Sequence, residues 1–217
     1  MNHKSSITYL ILIIAPLVFG CHRSVKADKY NKAPASSLYL HSGNENYIAI
    51  DTKQSMVTWT GSSLMGSNSH TGYVSISQGE LLMENGQLVG GTVEIDMNTI
   101  EDQNHKSDNK LVNHLKDPDF FEVEKFPFAT MVITKATTTD ADSINVTGNL
   151  TIKGITHAVT FPANVEAKDG IIKANAKLIV DISRWNVRYK SAKFFKLVAN
   201  QTLSDSIKFE MKIVAHK

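Results

Sequence analysis

A single cysteine, Cys21, stands in the whole chain, so no internal disulfide can hold the fold together. Twelve glycines and five prolines among 217 residues are too few for a collagen-like or proline-rich chain. Charge of one sign is lacking too. Of 23 basic and 21 acidic residues, five and two respectively precede residue 46, and the remainder is close to neutral. That excludes the strong basic excess of a nucleic-acid binder. The one long apolar run, "LILIIAPLVFG" from Leu10 to Gly20, is shorter than the roughly 20 residues a membrane helix needs. No histidines pair at i, i+4 and there is no H-E-x-x-H, so no metal centre is predicted. "GSNSHTG" at 66–72 holds Ser, His and Gly but lacks the strand–elbow–helix setting of a hydrolase. It reads as a polar turn. What is present is ordinary: 42% hydrophobic and 20% charged residues, enough for one well-formed core.

The first twenty residues have the form of a signal peptide, with a lysine-bearing start and the apolar run from Leu10. "VFGC" at 18–21 resembles the bacterial lipobox, an aliphatic residue three positions before a cysteine and a small one directly before it. The resemblance implies cleavage before Cys21 and lipidation of that residue. Two or more acyl chains there would anchor the protein stably, each buried methylene contributing about 0.8 kcal/mol. Residues 21–45 show no period and a mild basic bias, with Arg23, Lys26, Lys29 and Lys32 against Asp28 and Glu45. They read as a tether. The folded domain is predicted over 46–217.

From residue 46 the signal is alternation. "INVTGNLTIK" sets Ile144, Val146, Gly148, Leu150 and Ile152 on one face. Val93, Ile95 and Met97 share a face, as do Ile172, Ala174, Ala176, Leu178, Val180 and Ile182, and then Ile207, Phe209, Met211 and Ile213. Period two of this kind means antiparallel strands with one buried and one wet face. Shorter strands are expected at 47–50, 56–62, 70–77, 79–85, 128–136 and 156–166. Turn dipeptides "NG" at 85–86, "KG" at 153–154 and "DG" at 169–170 separate them. "SDNKLVNHLKDP" differs. Ser107 is a candidate N-cap, Leu111, Val112 and Leu115 share a helical face, and Asp117–Pro118 ends the helix. About ten strands and one helix predict an all-β antiparallel barrel with a short α-helix capping one end. The small inward residues Gly148, Ala174 and Ala176 lean towards a hollow interior.

Two aromatic groups stand out. "DPDFFEVEKFPFATM", residues 117–131, carries Phe120, Phe121, Phe126 and Phe128 in a connecting segment. The rings are expected to face inward at the barrel mouth, either as a lid over a ligand or as a plug. Near "DISRWNVRYK" the alternation changes phase at Ser183–Arg184, which marks a β-bulge or a break. Trp185 and Tyr189 then turn towards the interior, as core plug or as ligand lining.

"VEIDMNTI", "HLKDPDFFEVEKFPFATM" and "VTGNLTIKGITHAVTFP" resemble the YceI-like family of exported bacterial proteins, from about Tyr47 to Ala215. The resemblance implies an extended, lipocalin-like barrel with a helix across one end and an elongated apolar cavity. Members are described as binding polyisoprenoids or other long-chain amphiphiles and are not generally regarded as enzymes. "SRWNVRYKSAKFF" and the lipobox depart from the simpler soluble members. On this basis the ligand-binding residues are expected to be Trp59, His70, Phe120, Phe121, Phe126, Phe128, Trp185 and Tyr189, with His70 near the headgroup. The expected ligand is an isoprenoid, quinone or fatty-acyl lipid, with no cofactor, metal or nucleic acid. Cys21 would tether the protein to a membrane, at the periplasmic face of the outer membrane. A homodimer is compatible with the sequence. The alternative is an enzyme acting on such a lipid, with His70 or His105 as general base. The carrier reading is preferred because no nucleophile, base and orienting group can be named together.

Overall fold

Three tight hairpins organise the chain. At Asn85–Gly86, Lys153–Gly154 and Asp169–Gly170 both residues have φ between 50° and 81°. That is the type I′ geometry whose twist matches that of paired strands. The computed structural model describes residues 45–63, 69–103, 110–140, 143–187 and 203–217. Within them are nine strands: β1 Glu45–Ala49, β2 Met56–Ser63, β3 Ser69–Glu84, β4 Gln87–Asp102, β5 Phe128–Thr138, β6 Ser143–Ile152, β7 Ile155–Lys168, β8 Ile171–Asp181 and β9 Leu203–His216. One helix, α1, covers Lys110–Lys116, where the sequence places it. Ser107, its expected cap, lies outside the described residues, as do Cys21, His105 and Tyr189. Among the described residues no helix is long and apolar enough to cross a membrane.

Each strand from β2 to β9 pairs antiparallel with the next, and β9 returns to pair with β2. The result is a closed eight-stranded up-and-down barrel. β1 supplies no ninth stave. It pairs with Glu80–Glu84 of β3 while β2 pairs with Ser69–Val74, so β1 and β2 share one edge as an interrupted strand. The interruption is a turn at Asp51, whose carboxylate accepts hydrogen bonds from the backbone N–H of Lys53 (2.9 Å) and Gln54 (3.1 Å). The two short strands predicted at 70–77 and 79–85 are one long strand. Register shifts against β4 at Tyr73/Ser75 and Ile76/Gln78 break its alternation and imitate a gap.

Inward positions follow the predicted parity. Val93, Met97, Val146, Leu150, Ile152, Ile172, Leu178 and Ile207 are buried. Beyond Val180 the strand gives way to a 3-10 turn over Ile182–Trp185, ended by Asn186 at φ 56°. This is the break expected at Ser183–Arg184. Gly148 is a correction. A Cβ there would lie 2.6 Å from the Val132 carbonyl oxygen, so this glycine serves the close approach of β5 and β6 and opens no cavity space.

Candidate functional site

The barrel interior is not filled. A cavity of about 160 Å³ runs along it, lined by side chains from all eight staves and from the cap. Along β4 the lining extends from Leu88 to Ile100. A dozen residues at about 3.3 Å each, on strands tilted by about 40°, give roughly 30 Å along the barrel axis. Ala174 and Ala176 of β8 both line it, so they open space as their small size suggests. Among the described lining residues only Trp59 and His70 carry polar side-chain atoms.

The cap is built from α1 and the "DPDFFEVEKFP" segment. After Lys116 the chain folds onto itself: the N–H of Phe121 bonds to Leu115 O (3.1 Å), that of Val123 to Lys116 O (3.0 Å) and that of Phe126 to Glu122 O (2.9 Å). Two lysines tie this unit to the barrel rim. Lys116 Nζ donates to Asn98 O at 2.6 Å. Lys153 Nζ donates to Pro118 O at 3.3 Å and lies 3.7 Å from Glu122 Oε2. Leu111, Leu115, Phe120 and Phe121 point from the cap into the cavity. Phe120 is buried and meets Phe121 edge to face, ring centroids 4.7 Å apart.

Phe126 and Phe128 correct the expectation that all four rings face inward. Ala129 is the buried position of that strand, so its neighbour Phe128 points outward and is 45% exposed. Phe126 rests outside the barrel on the β6–β7 turn, its ring 3.1 Å from where a Cβ on Gly154 would stand, with Lys125 Nζ 5.1 Å from its centroid. Proline between them turns the chain from cap to strand, and the backbone N–H of Met97 bonds to Pro127 O there. Trp185 is fully buried but is not part of the cavity wall. Its Nε1–H donates to Leu150 O at 3.0 Å and the His157 ring meets it edge-on at 5.0 Å. Of the two readings of Trp185, this geometry is that of a plug beneath the 3-10 turn.

His70 is not in a turn. It lies in β3, faces the cavity, and its Nδ1 sits 3.2 Å from Asp102 Oδ2. A carboxylate only accepts, so Nδ1 carries the proton. Asp102 is 4% exposed, and such burial of a carboxylate requires a partner. Sequence reading missed Asp102, although it stands two residues after buried Ile100 on the same face. It also left Leu111, Leu115, Ala174 and Ala176 out of the site.

A closed, hollow, apolar antiparallel barrel under a helical cap defines this molecule's class. Residues 48–215 match the YceI-like domain, and the chain belongs to that family. It is 31% identical to a UPF0312 protein of Shewanella denitrificans over 60% of this chain and 68% of that one. It is 33% identical to a UPF0312 protein of Pseudomonas putida over 46% of this chain, a match that takes in little more than half (56%) of the relative. Among solved structures it is similar to BcnA of Burkholderia cenocepacia, with a TM-score of 0.64 and 21% identity over 76% of this chain and 99% of that one. It is similar also to a polyisoprenoid binding domain from Saccharophagus degradans, with a TM-score of 0.61 and 13% identity over 78% and 97% of the two chains.

Proposed function

We propose that this protein carries or sequesters one long-chain amphiphile, an isoprenoid, quinone or fatty-acyl lipid, with its tail threaded along the barrel. The observation that carries this reading is the cavity itself, apolar over its whole length but for one corner. Its length of roughly 30 Å equals the hydrocarbon thickness of a whole bilayer, about twice what a single leaflet's chain occupies. That favours a long tail. Each methylene moved from water into such a wall contributes about 0.8 kcal/mol before ordering costs. The name of the Saccharophagus neighbour supports the same ligand class. We read the chain as a carrier rather than an enzyme. His70 and Asp102 could form a base and its orienting group, but no Ser, Thr, Cys or Tyr stands among the described lining residues to act as nucleophile. The signal segment and Cys21 support export and anchoring at the periplasmic face of the outer membrane.

Native mass spectrometry of the purified protein, followed by solvent extraction, tests the reading. A copurifying long-chain lipid in near one-to-one ratio is expected. Protein that emerges empty, and takes up no long-chain lipid when offered one, refutes it.

A further inference from the structure

The cavity has a floor. Leu81 on β3, Ala174 on β8 and Ile213 on β9 face its empty space. One inward step further from the cap, on the same three strands, Met83, Ile172 and Ala215 do not. These three are packed with Ile48 and Ile50. Ile172 is the cross-strand partner of Ala215, Ala215 bridges to Ile50, and Ile48 pairs with Leu81, two residues from Met83. All five side chains are at most 6% exposed.

Beneath this layer is a second cavity, of about 210 Å³. Ile48, Met83 and Ile172 line it on the barrel side, and the exposed residues Ala167, Lys168 and Lys217 line it on the outer side. On β3 the wall passes from the first cavity to the second between Leu81 and Met83, and on β8 between Ala174 and Ile172. A single layer of apolar side chains therefore divides the two. The polar side-chain atoms of the described lining, those of Trp59 and His70, are at the opposite end, where Gly72 pairs with both Trp59 and Asp102 just before the cap. An amphiphile's head belongs at that end and its tail at the floor.

We propose that Ile48, Met83 and Ile172 act as a ruler: the terminal methyl of the tail stops against them, and the protein selects its amphiphile by tail length. The inference rests on the carrier reading and deepens it. Each methylene that enters the empty space above the floor tightens binding, by about fourfold before ordering costs. A methylene beyond it must displace side chains already packed at the density of a protein interior, which is unfavourable. The cavity's roughly 30 Å and an advance of about 1.2 Å per single bond, a third of a residue's reach, put the limit at about 25 carbons. One inward step, two residues on a strand tilted by about 40°, advances about 5 Å along the axis, the length of about four carbons.

The delipidated full chain is offered an equimolar mixture of saturated 1-alkanols of graded length carried on cyclodextrin. It is then repurified and extracted, and the bound alcohols are quantified by chain length. The wild-type distribution should rise to about 25 carbons and fall beyond. Dividing each variant's distribution by that of the wild type cancels the alcohols' own solubilities. Ile172→Ala opens the floor and should move the limit about four carbons longer. Ala174→Leu fills the last open step above the floor and should move it about four carbons shorter. The second variant adds bulk to empty space, and it decides alone if Ile172→Ala does not fold. An Ala174→Leu chain that does not fold shows that space to be filled and overturns the ruler. So does a wild-type distribution with no upper limit, or a limit that a folded variant leaves in place or moves the opposite way. These outcomes leave the carrier reading standing. Retention of no alcohol by the wild type removes both.

Discussion

Gly72 has the least room of the described glycines. A Cβ there would stand 1.7 Å from the Glu101 carbonyl oxygen and within 2.6 Å of two Trp59 ring atoms. Backbone cannot yield as a flexible side chain can. Gly72→Ala is therefore expected to destabilise the fold by about 1–3 kcal/mol, as overpacking does, and to shift Trp59 emission. Denaturant unfolding with tryptophan fluorescence measures both, and an unchanged midpoint would contradict the packing described. Asp51 is a second case. The amide of Gln54, donating to Asp51 Oδ2 at 2.6 Å, holds the carboxyl below its ordinary value of 3.8. Backbone N–H groups of Gln54 and Lys53 and the nearby His216 act in the same direction, against desolvation. The unfolded chain then binds the proton more readily. Asp51 contributes stability that is complete above its unfolded value and lost as pH falls through the lower native one. Asp51→Asn should flatten the stability profile on the acid side, below about pH 4, and leave its shape near neutrality alone. Acid unfolding that keeps the same slope would show that the turn at Asp51 contributes nothing.

At the level of elements, the cap and the strand behind it divide the phenylalanines by role. Phe120 is buried among cap and barrel residues, and Phe120→Ala should cost about 3–5 kcal/mol. Phe121 is partly buried and faces the cavity, so Phe121→Ala should cost the empty protein about 1–2 kcal/mol and chiefly speed the loss of bound lipid. Phe128→Ala, on the outer face, should change neither by much. Unfolding of delipidated protein and the release rate of a fluorescent fatty acid separate the three. The delipidated form is needed because ligand raises apparent stability by mass action. If Phe121→Ala unfolds as easily as Phe120→Ala and retains ligand normally, the cap is a structural plug.

At the scale of the whole molecule, one prediction concerns placement in the cell. With Cys21 as the lipidated N-terminus, Cys21→Ser should move the protein from the membrane fraction to the soluble one and lower its mass by the acyl groups. A Ser variant that stays membrane-bound at unchanged mass would refute the anchor. The barrel itself was largely legible in the sequence. Period-two alternation sets which face of each strand is apolar, "NG", "KG" and "DG" set three hairpins, and the helical spacing of Leu111, Val112 and Leu115 after β4 sets the helix. These are local properties, written in neighbouring residues. The phase change at Ser183–Arg184 was legible for the same reason, as a 3-10 turn interrupts the alternation on the spot. Which aromatics meet the cavity was not legible. Phe126 and Phe128 share a segment with Phe120 and Phe121, and only the packing of the cap on the β6–β7 turn and the register of β5 turn the first pair outward. The union of β1 and β2 along one edge of β3 depends on pairing between positions far apart in sequence, as of Glu45 with Glu84, which alternation does not encode. The same holds for the meeting of His70 with Asp102, 32 residues on. Composition and periodicity decide that a side chain is buried. Whether it is buried against protein or against an empty cavity depends on what stands opposite, and tertiary structure alone places that.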